Sequence, residues 1–174
     1  MKRIVVSLLI MMMVFISMCI SNNTSTSSTP TTNPTETTNP LTLDKSKFHF
    51  YEYGLATCPH CRKMKEELPK AFGKEALTYY ELQGNDHNNQ MFNQLYEILG
   101  VTTVPVIGIF YDGKLYAIVN GEFPTDYADD FVEEAMKAKG VLFITDKVYL
   151  IPGNNTEIIN KLESIFTNGE PSEV

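Results

Sequence analysis

Cysteine is scarce in this 174-residue chain, which has only Cys19, Cys58 and Cys61. Three cysteines cannot build the framework of a disulfide-stapled fold, so the core must come from ordinary apolar burial. Basic residues are also few, with 14 Lys and Arg against 21 Asp and Glu. That balance argues against nucleic acid as a partner and fits a soluble acidic surface. The length allows one folded domain and some appendages.

Lys2 and Arg3 precede an apolar run from Ile4 to Ile20, broken only by Ser7 and Ser17. A basic start before an apolar stretch is the pattern of a secretory signal or a signal anchor. The run is near the lower limit for a helical bilayer span. Its basic end stays on the cytoplasmic side, which places the rest of the chain outside. A buried core helix would have a polar face, and this run has almost none. Residues 1–20 are therefore expected to be retained as a membrane anchor. Cleavage, with secretion of the remainder, is one alternative. Cleavage with lipid attached to Cys19 is another, since Ile16-Ser17-Met18-Cys19 has the shape of a lipobox, with Met18 in place of the usual small residue.

From Ser21 to Pro40 every residue except Glu36 is Ser, Thr, Asn or Pro. No apolar face exists here to bury, so residues 21–42 read as a disordered or extended stalk. Asn22, Asn23 and Asn154 each begin an Asn-x-Ser/Thr sequence, a weak signal for N-glycosylation.

The texture changes near Leu43. Phe48 to Tyr53 reads as a strand, and a helix is expected from Pro59, because proline is favoured at the first helical position. Leu77 to Leu82 is a second strand. Asp86 is the expected cap of a helix carrying Met91, Leu95, Ile98 and Leu99, ended by Gly100. Val104 to Tyr111 and Lys114 to Val119 are strands joined by the hairpin signal Asp112-Gly113. Pro124 is expected to open a helix that runs to about Lys139. The order β-α-β-α-β-β-α implies parallel pairing early and antiparallel pairing late. The fold class is therefore α/β, with a mixed sheet and helices on both faces over residues 43–140. A strand and an amphipathic helix, residues 141–174, extend it. Ile158, Ile159, Leu162, Ile165 and Phe166 form the stripe by which that helix packs.

Three features in register carry a family resemblance. Cys58-Pro59-His60-Cys61 opens the first helix just after the first strand. Thr103-Val104-Pro105 precedes the third strand. Glu52 stands six residues before Cys58. This pattern, over about Lys47 to Lys139, resembles the three-layer thioredoxin fold, and the Pro-His dipeptide is similar to that of extracytoplasmic disulfide oxidants of the Dsb type. The resemblance implies thiol–disulfide oxidoreductase activity. It also implies a cis bond at Pro105, a substrate-facing backbone at Thr103 and Val104, and a buried acid at Glu52 beneath the resolving Cys61. The chain departs from the family at Thr57, where thioredoxins carry tryptophan. It also lacks the long helical insertion of the Dsb oxidants.

The residue chemistry agrees with this. Exchange needs a thiolate, and a helix N-terminus offers free amide donors and a positive dipole end. Cys58 as the cap and Pro59 at the first helical position put the Cys58 sulfur there, and a charged His60 would stabilise the thiolate further. Cys61, a turn along, is expected to face inward and resolve the mixed disulfide. Glutamate is depleted from strands, yet Glu52 alternates with Phe48 and Phe50, so it is expected to be buried as a proton acceptor. Arg62, Lys63, Lys65, Glu66 and Glu67 read as a solvated helix face. A Cys-x-x-Cys pair is also half of a zinc site, but no second pair exists. No metal or cofactor is expected, and a non-enzymatic copper or zinc carrier on the same fold is the alternative. The expected partners are protein thiols and disulfides, the membrane through the N-terminal segment, and a membrane electron carrier for recycling. The domain is expected to be monomeric. The direction of exchange is not written in these residues.

Overall fold

Strand alternation sorts the first strand into two cores. In β1 (Phe48–Gly54), Phe48 and Phe50 pack into one apolar cluster, while Tyr53 packs into a second on the opposite face. The computed structural model describes residues 43–172. The expected anchor over residues 1–20, the stalk over 21–42 and Cys19 lie outside the described residues. No described helix is long and apolar enough to cross a membrane.

After β1 come α1 (Pro59–Phe72), β2 (Leu77–Glu81), α2 (Asp86–Leu99), β3 (Val106–Tyr111) and β4 (Lys114–Asn120). They are followed by α3 (Tyr127–Ala138), β5 (Gly140–Ile144), β6 (Val148–Pro152) and α4 (Thr156–Thr167). The six strands form one sheet in the order β2-β1-β3-β4-β5-β6. β1 pairs parallel with β2 and β4 with β5, while the other three neighbours are antiparallel. Met64 and Leu68 of α1 and Ala128 and Val132 of α3 join the Phe48–Phe50 cluster. Leu95 of α2 and Leu162, Ile165 and Phe166 of α4 join the Tyr53 cluster. The result is a mixed sheet between two helical layers, the thioredoxin-like architecture expected from the sequence.

Local chemistry moves some boundaries. Asn85, not Asp86, caps α2, its side chain accepting from the Asn88 amide, and Gly100 ends the helix in the left-handed region at φ 72°. Pro124 begins a turn in which Tyr127 donates to the Pro124 carbonyl, so α3 starts at Tyr127. Proline is favoured in turns as well as at a helix start, and here the turn wins. β3 begins after Pro105, which has no amide to donate to a ladder.

The C-terminal elements are knit into the sheet. Tyr53 Oη donates to the Ile165 carbonyl and Tyr80 Oη to that of Phe166, both at 2.7 Å. A Cβ on Gly108 would stand 2.9 Å from the Phe166 ring, so glycine there lets α4 sit flat on β3. Beyond α4, Ser172 donates to the Tyr79 carbonyl at 2.8 Å and covers the edge of β2.

Candidate active site

The turn between β1 and α1 delivers two thiols to different environments. The Cys58 amide donates to the Leu55 carbonyl at 2.9 Å, closing the turn. Cys58 then caps α1, with extended φ and ψ of −79° and 122°, and Pro59 takes the first helical position. The Cys61 amide donates to Cys58 Sγ at 3.3 Å, so one of the orphan donors of the helix start falls on the sulfur. Cys58 is partly exposed and Cys61 fully buried, and both are free thiols.

Glu52 comes from the centre of β1 and lies on its α1 side. It is fully buried, and neither carboxylate oxygen has a hydrogen-bond partner. Burial chiefly, and then the charge of Cys58, pushes its carboxyl up to about 8, against the pull of Lys65. Burial first, then the contact with Cys58, pushes the Cys61 thiol up to about 12. A buried thiol this reluctant to ionise therefore lies near a carboxyl that burial keeps largely protonated at neutral pH.

The third wall is the loop before β3. The Val104–Pro105 peptide bond is cis, and Cys58 Sγ lies 3.8 Å from the Val104 carbonyl, to which it donates. Asn120, at the end of β4, pins this loop: its Nδ2 donates to the Thr103 carbonyl at 2.9 Å and to Thr103 Oγ1 at 3.1 Å. The Gly121 amide donates to the Pro105 carbonyl at 2.9 Å. Thus Cys58, Pro59, Cys61, Glu52, Thr103, Val104 and Pro105 converge at one end of the sheet.

His60 behaves differently from the expectation that it would serve the thiolate. Its Nδ1 pairs with Glu122 Oε2 at 2.9 Å, and Lys63 Nζ meets Glu122 Oε1 at 3.3 Å. The hydrogen bond from His60, followed by that from Lys63, holds the Glu122 carboxyl below its ordinary value. Both side chains that α1 presents here therefore face one carboxylate. The helix face read as merely solvated is also more engaged than expected. Besides Lys63, Arg62 Nη1 donates to the Ala56 carbonyl at 3.1 Å, and Lys65 Nζ lies 4.4 Å from the Tyr79 ring centroid.

Several supporting residues escaped the sequence reading. Gly54 is one: a Cβ there would come within 2.9 Å of Tyr79 Cε2 and 3.1 Å of Cys61 Cβ. Glu81 Oε2 accepts from the Ala56 amide at 2.8 Å and from Tyr79 Oη at 3.2 Å, bracing the turn. A glycine closing a strand just before Cys-x-x-Cys was a usable signal for close packing. Glu122 and Asn120 carried none, being 62 residues from His60 and 17 from Thr103.

Residues 47–116 match the glutaredoxin family model. The matched segment is similar to the glutaredoxin domain of the thioredoxin superfamily. The match runs from β1 into the first residues of β4 and includes Cys58, Cys61 and the Pro105 loop. Asn120, Glu122 and all elements from α3 onward lie beyond the matched segment. No curated protein matches the chain. The glutaredoxin match supports thiol oxidoreductase chemistry, and the two unlike thiols give that chemistry a location.

Proposed function

We propose that the protein is a membrane-tethered, extracytoplasmic thiol–disulfide oxidoreductase that exchanges disulfides with protein substrates through Cys58 and Cys61. The observation that carries this reading is the pairing of a part-exposed sulfur at a helix N-terminus with a buried thiol beside an unpartnered carboxyl. The tether and the compartment rest on Lys2, Arg3 and the apolar run behind them.

In the reducing direction, the Cys58 thiolate attacks a substrate disulfide. A Cys58–substrate disulfide forms and one substrate sulfur leaves as a thiolate. Glu52 takes the proton of Cys61, and the Cys61 sulfur attacks Cys58. The second substrate sulfur then leaves, and the domain holds a Cys58–Cys61 disulfide. Two electrons have passed to the substrate. The oxidising direction is the reverse, and a membrane electron carrier or an oxidant closes the cycle. The Val104 backbone beside Cys58 supports docking of the substrate as an added strand. The Pro-His dipeptide supports a Dsb-type oxidising role, and the Glu122 contact with His60 weakens that support.

The test is trapping. Cys61→Ser should accumulate mixed disulfides through Cys58 with extracytoplasmic proteins, and Cys58→Ser should trap none. Adducts found mainly through Cys61, or no insulin disulfide reduction by the reduced full chain, would refute the proposal.

A further inference from the structure

The register of the sheet brings five strand ends together. Tyr53 pairs with Val106, Val106 with Asn120, Val119 with Ile144, and Ile144 with Val148. The end of β1 that leads to Cys58, the start of β3 after Pro105, and the ends of β4 and β5 with the start of β6 therefore share one edge of the fold. A cavity of about 390 Å³ opens along that edge. Ile98, Leu99 and Val101 from the end of α2 form one wall, Phe143 and Tyr149 from β5 and β6 the other, and Asn120 lies between. No Asp, Glu, Lys or Arg lines it. On the cleft side of β6 Tyr149 is half exposed (49%) and stacks on Phe143, while its neighbours Val148 and Leu150 point to the other face of the sheet.

A cleft without charged lining, edged by a half-exposed tyrosine ring, is suited to an apolar side chain of a partner. Its position says what the contact is. Asn120 touches the cavity and also holds Thr103 and Pro105, and the intervening Val104 carbonyl lies 3.8 Å from Cys58 Sγ. Asn120 thus joins the wall of the cleft to the loop that faces the redox sulfur, although no residue of that loop itself lines the cleft. Its outer wall comes from β5 and β6, which lie outside the glutaredoxin match at residues 47–116.

We infer that this cleft is a specificity subsite for a large apolar side chain of an extended polypeptide substrate, read at a fixed distance from the substrate cysteine. The inference rests on the thiol-exchange reading above. From β3 to β6 there are three strand spacings, about 14 Å in all, which an extended chain covers in about four residues. The preferred substrate is thus a cysteine peptide with Phe, Leu or Tyr about four residues away. Charged small thiols gain nothing from the cleft.

The experiment uses the pre-reduced full chain and peptides whose single cysteine is disulfide-bonded to a nitrothiobenzoate reporter. Phenylalanine is scanned through positions two to six on each side of the cysteine, with serine as reference. The expected result is one window, about four residues out, where Phe raises the second-order rate constant of reporter release, with protein in excess, about tenfold over Ser. In Tyr149→Ser that ratio should fall to nearly one. A flat scan, with hydroxyethyl disulfide still reduced by the unmodified chain, overturns the subsite and leaves the redox reading intact. Failure to reduce hydroxyethyl disulfide or any peptide overturns the redox reading itself. Concentration-dependent dimerisation abolished by Tyr149→Ser would assign the cleft to a second copy and also overturn the proposal.

Discussion

Glu52→Gln should stabilise the reduced protein above pH 8 and leave it almost unchanged near pH 4. The carboxyl is buried without a hydrogen-bond partner and pushed up from 4.5 to about 8. Between those values the folded chain binds more protons than the unfolded one, so stability falls as pH rises from about 4.5 and levels off above about 8. At 1.36 kcal/mol per pH unit, the gap corresponds to a loss of roughly 5 kcal/mol at most. Glutamine resembles the protonated acid in shape and removes that loss. Urea unfolding of both proteins, reduced, at pH 4.5, 6, 7 and 8.5 measures the difference, in which other titrating groups largely cancel. A difference that grows by about 3 kcal/mol or more across this range is expected. A difference independent of pH would mean that Glu52 is ionised at little cost, and the burial argument for its role as a base would fail. The same substitution should slow the Cys61 step by about a hundredfold at pH 8, the lower end of what general-base catalysis contributes.

Glu122→Gln frees His60 and removes a negative charge near the start of α1. The Cys58–Cys61 potential should rise by some tens of millivolts or less, on a scale of about 30 mV per tenfold in equilibrium constant, and the rise should shrink in high salt. An unchanged potential in low salt would show that the His60 pairing does not influence the sulfur. Gly54→Ala drives a methyl against Tyr79 and Cys61. It should cost about 1–3 kcal/mol in urea unfolding and slow the resolving step in single-turnover assays. Phe166→Ala empties a fully buried site against Gly108 and should cost about 3–5 kcal/mol, a loss too large for an element merely laid on the surface.

How far the sequence could be read depends on the distance over which each interaction acts. β1 was legible because Phe48, Phe50 and Glu52 alternate, and that same parity foretold which face Glu52 would share with α1. The start of α1 was legible because Pro59 and the two cysteines define a helix cap within four residues. The partner of His60 was not, because it depends on where β4 releases the chain, 62 residues later. The helix stripe of α4 was visible, but not the tyrosine hydroxyls of β1 and β2 that bond its last carbonyls. Periodicity finds a buried face and is silent on what covers it. The cleft beside Asn120 escaped for the same reason, since its walls come from α2, β4, β5 and β6 and meet only in the sheet order.

The electrostatics of the pocket also impose an order on the steps. Burial is the main reason Glu52 holds its proton, and the charge of Cys58 is the second. These two groups oppose simultaneous ionisation, as like charges in one low-dielectric site do. While Cys58 carries its charge, Glu52 is held protonated and is a poor base. Attack on a substrate disulfide consumes that charge, because the mixed disulfide is neutral. The carboxyl then loses part of the repulsion that raised it, ionises more readily, and becomes able to take the proton from Cys61. The base is thus unmasked, in its ionised form, by the event that creates the need for it, without any movement of the backbone. The signature is a coupling. The Glu52 titration midpoint, followed by its carboxyl stretching band or by carbon NMR, should be lower in Cys58→Ser than in the reduced protein. Equal Glu52 midpoints in the two proteins would show that the carboxyl does not sense Cys58, and the switching argument would be wrong even if Glu52 proves to be the base.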